Sequence, residues 1–180
     1  GYLGAQALLF ADVSGDEPFD ESVSRIWWEL AAHFQGRFPI DPLGCLAATV
    51  ELRGETEVSH DLAEHDADAL VAFLQHAGHV AGTPPALPRP CAATPLEGVE
   101  PVTATSQGIV VFSKAPGDWV DAGELVAELI DPLTDARTPL HAQVSGRCFA
   151  RSARRYATRG MRLMKIAGPT AFRSGKLLSL

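Results

Sequence analysis

Residues 97–168 repeat themselves, and a unit written twice restricts a fold strongly. Ser106-Gln107-Gly108 is answered by Val144-Ser145-Gly146 at an offset of 38, and residues 118–126 by residues 155–163 at an offset of 37. Short apolar runs predict strands over 99–104, 108–113, 125–130, 137–142, 146–151 and 163–166, parted by Gly, Pro and Asp turns. A β unit of roughly 40 residues used twice builds a small all-β, pseudo-twofold barrel or sandwich. Each copy sets a glycine, Gly123 or Gly160, in a turn that needs positive φ, shortly after an aromatic, Trp119 or Tyr156.

The first 82 residues follow a different grammar, that of an α/β domain with a mostly parallel sheet. Residues 2–10 form a short apolar stretch that reads as a helix. From Phe19 to Phe34 the apolar residues Val23, Ile26, Trp27, Leu30 and Phe34 fall at helical spacing, Asp20 and Glu21 suit the N-terminal dipole, and Gly36 is a stop. Trp27 and Trp28 are adjacent, so they cannot share one core stripe, and Trp28 is left to cover a partner surface or a second layer. The apolar run 45–52 ends at Gly54 and predicts a strand covered on both faces. Ser59 caps a helix reaching about Ala77, ended by Gly78. Five prolines in the fourteen residues 82–95 mark a stiff connector. The expected organisation is therefore an α/β part over 1–82, a linker over 83–96, the β domain over 97–168 and a tail over 169–180.

Charge and composition exclude several functions. The net charge of −7 argues against general nucleic-acid or anionic-membrane binding, and 46% apolar residues exclude disorder throughout. No apolar run approaches the roughly 18 residues of a membrane helix. The chain opens Gly1-Tyr2-Leu3-Gly4, with no initiator Met and no basic leader, which reads as a processed or partial chain. Cys45, Cys91 and Cys148 are odd in number and far apart, as expected of small buried residues in a reducing, cytoplasmic compartment.

Glu51 is the most informative side chain. It ends an otherwise apolar run, at the position where open α/β sheets bind ligands. A carboxylate there is a general-base candidate, or alternatively an exposed partner of Arg53. Arg53, two residues on, can clamp a substrate carboxylate or pair with Glu51. The histidines lack metal-site spacing: His60 and His65 stand roughly 140° apart around a helix, and no His-x-x-Glu or His-Glu-x-x-His occurs. No metal ligand is assigned in this chain. Six arginines and no acid lie between Arg147 and Arg162, placed by strand alternation on an outer face where some can attract an anionic substrate.

The repeated β half is similar to a biotinyl or lipoyl carrier domain. A carrier needs a lysine at the tip joining the copies, and no Lys lies between Lys114 and Lys165. Without that amine there is no acyl attachment point.

Together, Ala48-Thr49-Val50-Glu51-Leu52-Arg53-Gly54, the following helix with Ala69, Leu70, Phe73 and Leu74, the stretch 138–146, and Arg155-Tyr156-Ala157-Thr158-Arg159-Gly160-Met161-Arg162-Leu163 resemble the succinylglutamate desuccinylase/aspartoacylase family over about residues 19–168. These are zinc hydrolases related to metallocarboxypeptidases, with an added C-terminal β domain. The resemblance implies amide hydrolysis of a small anionic N-acyl amino acid, with Glu51 as the proton-transferring glutamate and Arg53 and Tyr156 as substrate contacts. It also implies zinc held by a His-x-x-Glu pair and a later His. This chain contains none of them upstream of Glu51, so the zinc ligands are expected in a missing N-terminal half of the same enzyme. The chain alone is then inactive, and the apolar surface left uncovered drives self-association. The alternative is a non-catalytic interaction module built on the β domain.

Overall fold

The computed structural model describes residues 1–15, 17–54 and 56–178. The chain divides into two compact units, residues 1–10 with 54–172, and residues 11–53 with 173–180.

The larger unit is organised by the repeat. Strands β3 (Val99–Thr103), β4 (Gly108–Phe112), β5 (Trp119–Val120) and β6 (Leu125–Ile130) form the first copy, and β7 (Arg137–His141), β8 (Gly146–Arg151), β9 (Tyr156–Ala157) and β10 (Arg162–Ala167) the second. They assemble into two four-stranded antiparallel sheets, ordered β3-β10-β8-β5 and β7-β6-β4-β9. Exchanging each strand for its repeat partner turns one order into the other, so each sheet takes two strands from each copy. The six predicted strands all form, within a residue at their ends. Two open sheets stand in place of a closed barrel.

Alternation fills the space between the sheets. Val110, Val126, Leu129, Leu140, Cys148, Leu163 and Ile166 are buried there in one cluster. Backbones pass so closely that several positions admit only glycine, Gly98, Gly108 and Gly146 among them. A Cβ on Gly146 would lie 2.2 Å from the Ala167 carbonyl oxygen, and one on Gly108 would lie 2.7 Å from that of Ile130. The edge strands β3 and β7 carry Pro101 and Pro139, one repeat apart. Proline offers no N–H for further pairing and so blunts both edges.

Helix α2 (His60–His76) belongs to the same unit. The Ser59 side chain accepts from the Leu62 N–H at 3.2 Å, and Gly78 follows the helix at φ 80°. Ahead of it, β1 (Leu8–Phe10) pairs in parallel with β2 (Ala93–Pro95). The expected helix over 2–10 is thus corrected. Gly4 takes φ 62°, which a right-handed helix does not admit, and the apolar end finds a ladder instead.

The smaller unit holds α1 (Phe19–Phe34), matching its predicted bounds, and ends in the left-handed conformation at Gln35, whose N–H donates to the Ala31 carbonyl. The predicted strand over 45–52 does not form. A covered parallel strand exists only by pairing on its flanks, and no described segment pairs with this one; Leu46 is 82% exposed, and Val50 and Leu52 are also exposed. Among the described residues the single parallel pairing is β1 with β2, so a mostly parallel α/β domain is not what the chain builds. No described helix is long and apolar enough to cross a membrane.

Candidate functional site

Glu51 lies in the smaller unit, exposed, on a segment that is neither helix nor strand. Local contacts fix that segment upstream of it. Gly44 passes over the Trp27 ring so closely that a Cβ would lie 2.5 Å from Cε3. Further along, Asp20 Oδ2 accepts from the Thr49 hydroxyl at 3.0 Å and from its N–H at 3.3 Å. Asp20 Oδ1 accepts from the Glu21 N–H at 2.9 Å, and Glu21 Oε2 accepts from the N–H and hydroxyl of buried Ser14 at 3.0 and 2.8 Å. The first turn of α1 therefore carries two carboxylates that clasp the chain on either side of the helix.

Arg53 follows at a bend, also exposed. Because residues 51–53 are not a strand, the rule that placed both side chains on one face has no ladder to act on. Tyr156 belongs to the larger unit, where it opens β9 opposite Ile109 and is 52% exposed. The outer face there also carries the partly exposed Ile109 and Val111.

The arginine run has a structural use. Arg151 and Phe112 occupy matching positions of the two copies, each at the end of its pairing with β10 or β6. They meet with the guanidinium 4.9 Å from the ring centroid, and Arg155 lies over the same ring at 5.3 Å. Arg151 Nη1 also donates to the Lys114 carbonyl at 2.8 Å. Lys114 in turn pairs with Glu124 at 2.5 Å, which holds the lysine above its ordinary pKa and the glutamate below its own.

Glu100 was missed by sequence reasoning. It is 1% exposed, and its Oε2 accepts from the backbone N–H groups of Gln143 at 2.8 Å and Val144 at 3.0 Å. The signal was present: Glu100 shares the inward side of its strand with Val102 and Ala104, which both reach the core. It ties β3 to the turn before β8.

A cavity of about 320 Å³ in the larger unit is lined by Leu8, Arg89 and Cys91 among others, and by none of Glu51, Arg53 and Tyr156. Among the described residues no three His, Cys, Asp or Glu side chains gather as a metal-binding group. The described residues therefore do not fit a zinc site.

No family model matches this sequence, and comparison with curated proteins found no match. Solved structures do match. A succinylglutamate desuccinylase/aspartoacylase from Shewanella frigidimarina aligns with a TM-score of 0.70 at 22% identity, over 83% of this chain and 41% of its own. A succinylglutamate desuccinylase/aspartoacylase family protein from Shewanella amazonensis aligns at 0.69 and 24% identity, over 82% and 42%. A succinylglutamate desuccinylase from Silicibacter aligns at 0.66 and 16% identity, over 93% and 46%. The fold of this chain is thus one found in succinylglutamate desuccinylase/aspartoacylase family proteins. The chain spans less than half the length of each of these three structures.

Proposed function

We propose that this chain is the C-terminal portion of a zinc-dependent amidohydrolase that cleaves the amide bond of a small anionic N-acyl amino acid. The supporting observation is the shared fold, which extends over 82–93% of this chain in structures described as desuccinylases or aspartoacylases. Those chains continue well beyond the matched part, and the zinc ligands of the proposed enzyme lie outside the present residues.

The contribution of this chain is proton transfer and substrate contact. Glu51 takes a proton from the attacking water as oxygen bonds to the amide carbon, then gives it to the nitrogen as the carbon–nitrogen bond breaks. Arg53 meets a substrate carboxylate, where a planar guanidinium can bind two oxygens at once. A cytoplasmic enzyme that associates with further copies of itself completes the proposal; the exposed Phe19, Ile26, Leu43 and Leu46 of the smaller unit favour such association.

A second reading is a non-catalytic interaction module. It is favoured by the exposure of Glu51 and by the lack of a metal-binding group among the described residues. The test is release of free amine from N-acetyl and N-succinyl amino acids by the natural gene product containing this sequence, purified with zinc. Release abolished by a chelator and restored by zinc supports the hydrolase. No release from any of these substrates supports the module.

A further inference from the structure

We infer that Asp20 is a positioning residue for Glu51: through its carboxylate it ties the Glu51-bearing segment to the first turn of α1. This rests on the hydrolase reading proposed above and adds to it a residue that touches neither substrate nor water.

The geometry is specific. One Asp20 oxygen accepts from the Glu21 N–H, a free donor of the helix start, and the other accepts from both the N–H and the hydroxyl of Thr49. A single carboxylate thereby links the helix to a segment that has no sheet partner among the described residues. Such a segment has no ladder to fix its backbone, so side-chain contacts must do it. Among the described residues its contacts include the close passage of Gly44 over Trp27 and the Asp20 clasp at Thr49. The second lies two residues from Glu51. Thr49 is joined to Glu51 by only two peptide units, so fixing its position limits how far Glu51 can move. The hydroxyl matters as well as the backbone, since it supplies the shorter of the two bonds to Oδ2.

Proton transfer depends steeply on placement, and a shift of about 1 Å can cost about a hundredfold. The clasp is exposed, so its loss loosens the segment without unfolding α1; about tenfold is the expected scale for kcat.

Two measurements test the inference and separate its failure from that of the hydrolase reading. The first is hydrogen exchange at the Thr49 amide in this chain. Asp20→Ala and Thr49→Val are expected to speed exchange by about tenfold, whereas Thr49→Ser, which keeps the hydroxyl, holds it near wild type. Unchanged exchange in Asp20→Ala overturns the clasp whatever the protein catalyses. The second is the steady-state kinetics of the natural gene product. A fall in kcat with KM held, shared by Asp20→Ala and Thr49→Val and rescued in Thr49→Ser, supports positioning. Faster exchange with unchanged kcat overturns it. A wild-type protein that hydrolyses no N-acyl amino acid removes the positioning role together with the hydrolase reading, while the exchange result still decides whether the clasp exists.

Discussion

Gly123 and Gly160 hold the same turn in the two copies of the β repeat. Both have φ 86°, and their N–H groups donate to Ala142 at 2.8 Å and to Ala104 at 2.7 Å, acceptors that are themselves one repeat apart. The return bonds match too: Ala142 donates to Glu124 and Ala104 to Met161. Each turn is thus stitched to the other copy's half of the sandwich, and neither copy closes its own.

Alanine at these glycines separates two costs. A Cβ at Gly123 or Gly160 meets nothing within 4 Å, so Gly123→Ala and Gly160→Ala cost only the left-handed conformation, about 1–2 kcal/mol each and nearly equal. Gly146→Ala carries no left-handed cost but must displace the Ala167 carbonyl oxygen, 2.2 Å from the added Cβ, and is expected to cost clearly more. Denaturant midpoints of the three variants check the order.

Glu100→Leu removes the one oxygen, Oε2, that accepts the backbone N–H groups of Gln143 and Val144 and leaves both donors without that partner. The expected loss is about 1.5–3 kcal/mol, the scale of hydrogen bonds to a charged group. Chemical denaturation measures it. A variant as stable as wild type would show that the Gln143 and Val144 bonds contribute nothing.

Cys148 gives the stability a pH dependence on the alkaline side. Burial pushes its thiol up from an ordinary value of 9.0 to about 11. Between these values the folded chain keeps a proton that the unfolded chain releases, so this contribution is present below pH 9 and lost as the pH rises toward 11, by at most about 1.4 kcal/mol per pH unit. Denaturation of Cys148→Ala should show a shallower alkaline slope than wild type. At mild pH an alkylating reagent should modify the partly exposed Cys45 and Cys91 well before Cys148.

The β domain was legible because its signals are local and doubled. Period-two alternation, turn glycines and a repeat offset all point to one architecture, and even the blunted edges at Pro101 and Pro139 are written in sequence. The two-residue strands β5 and β9 were not legible, since two residues show no period. Residues 45–52 misled for a different reason. An apolar run of that length is compatible with a covered strand, but a strand is made by its neighbours, and none of the described residues supplies them. Glu51, Arg53 and Tyr156 were singled out by spacing and resemblance, which identify side chains without fixing their surroundings. Asp20 was read only as a charge at a helix start; its bond to Thr49 joins residues 29 apart and has no local signature.

The most direct test of the hydrolase proposal is the turnover of Glu51→Gln in the natural gene product. The variant keeps the size and shape of the side chain and loses only the proton acceptor. Proton transfer by Glu51 requires kcat to fall by about a hundredfold to ten-thousandfold with KM little changed. A Glu51→Gln enzyme that turns over N-acyl amino acids at the wild-type rate would contradict it.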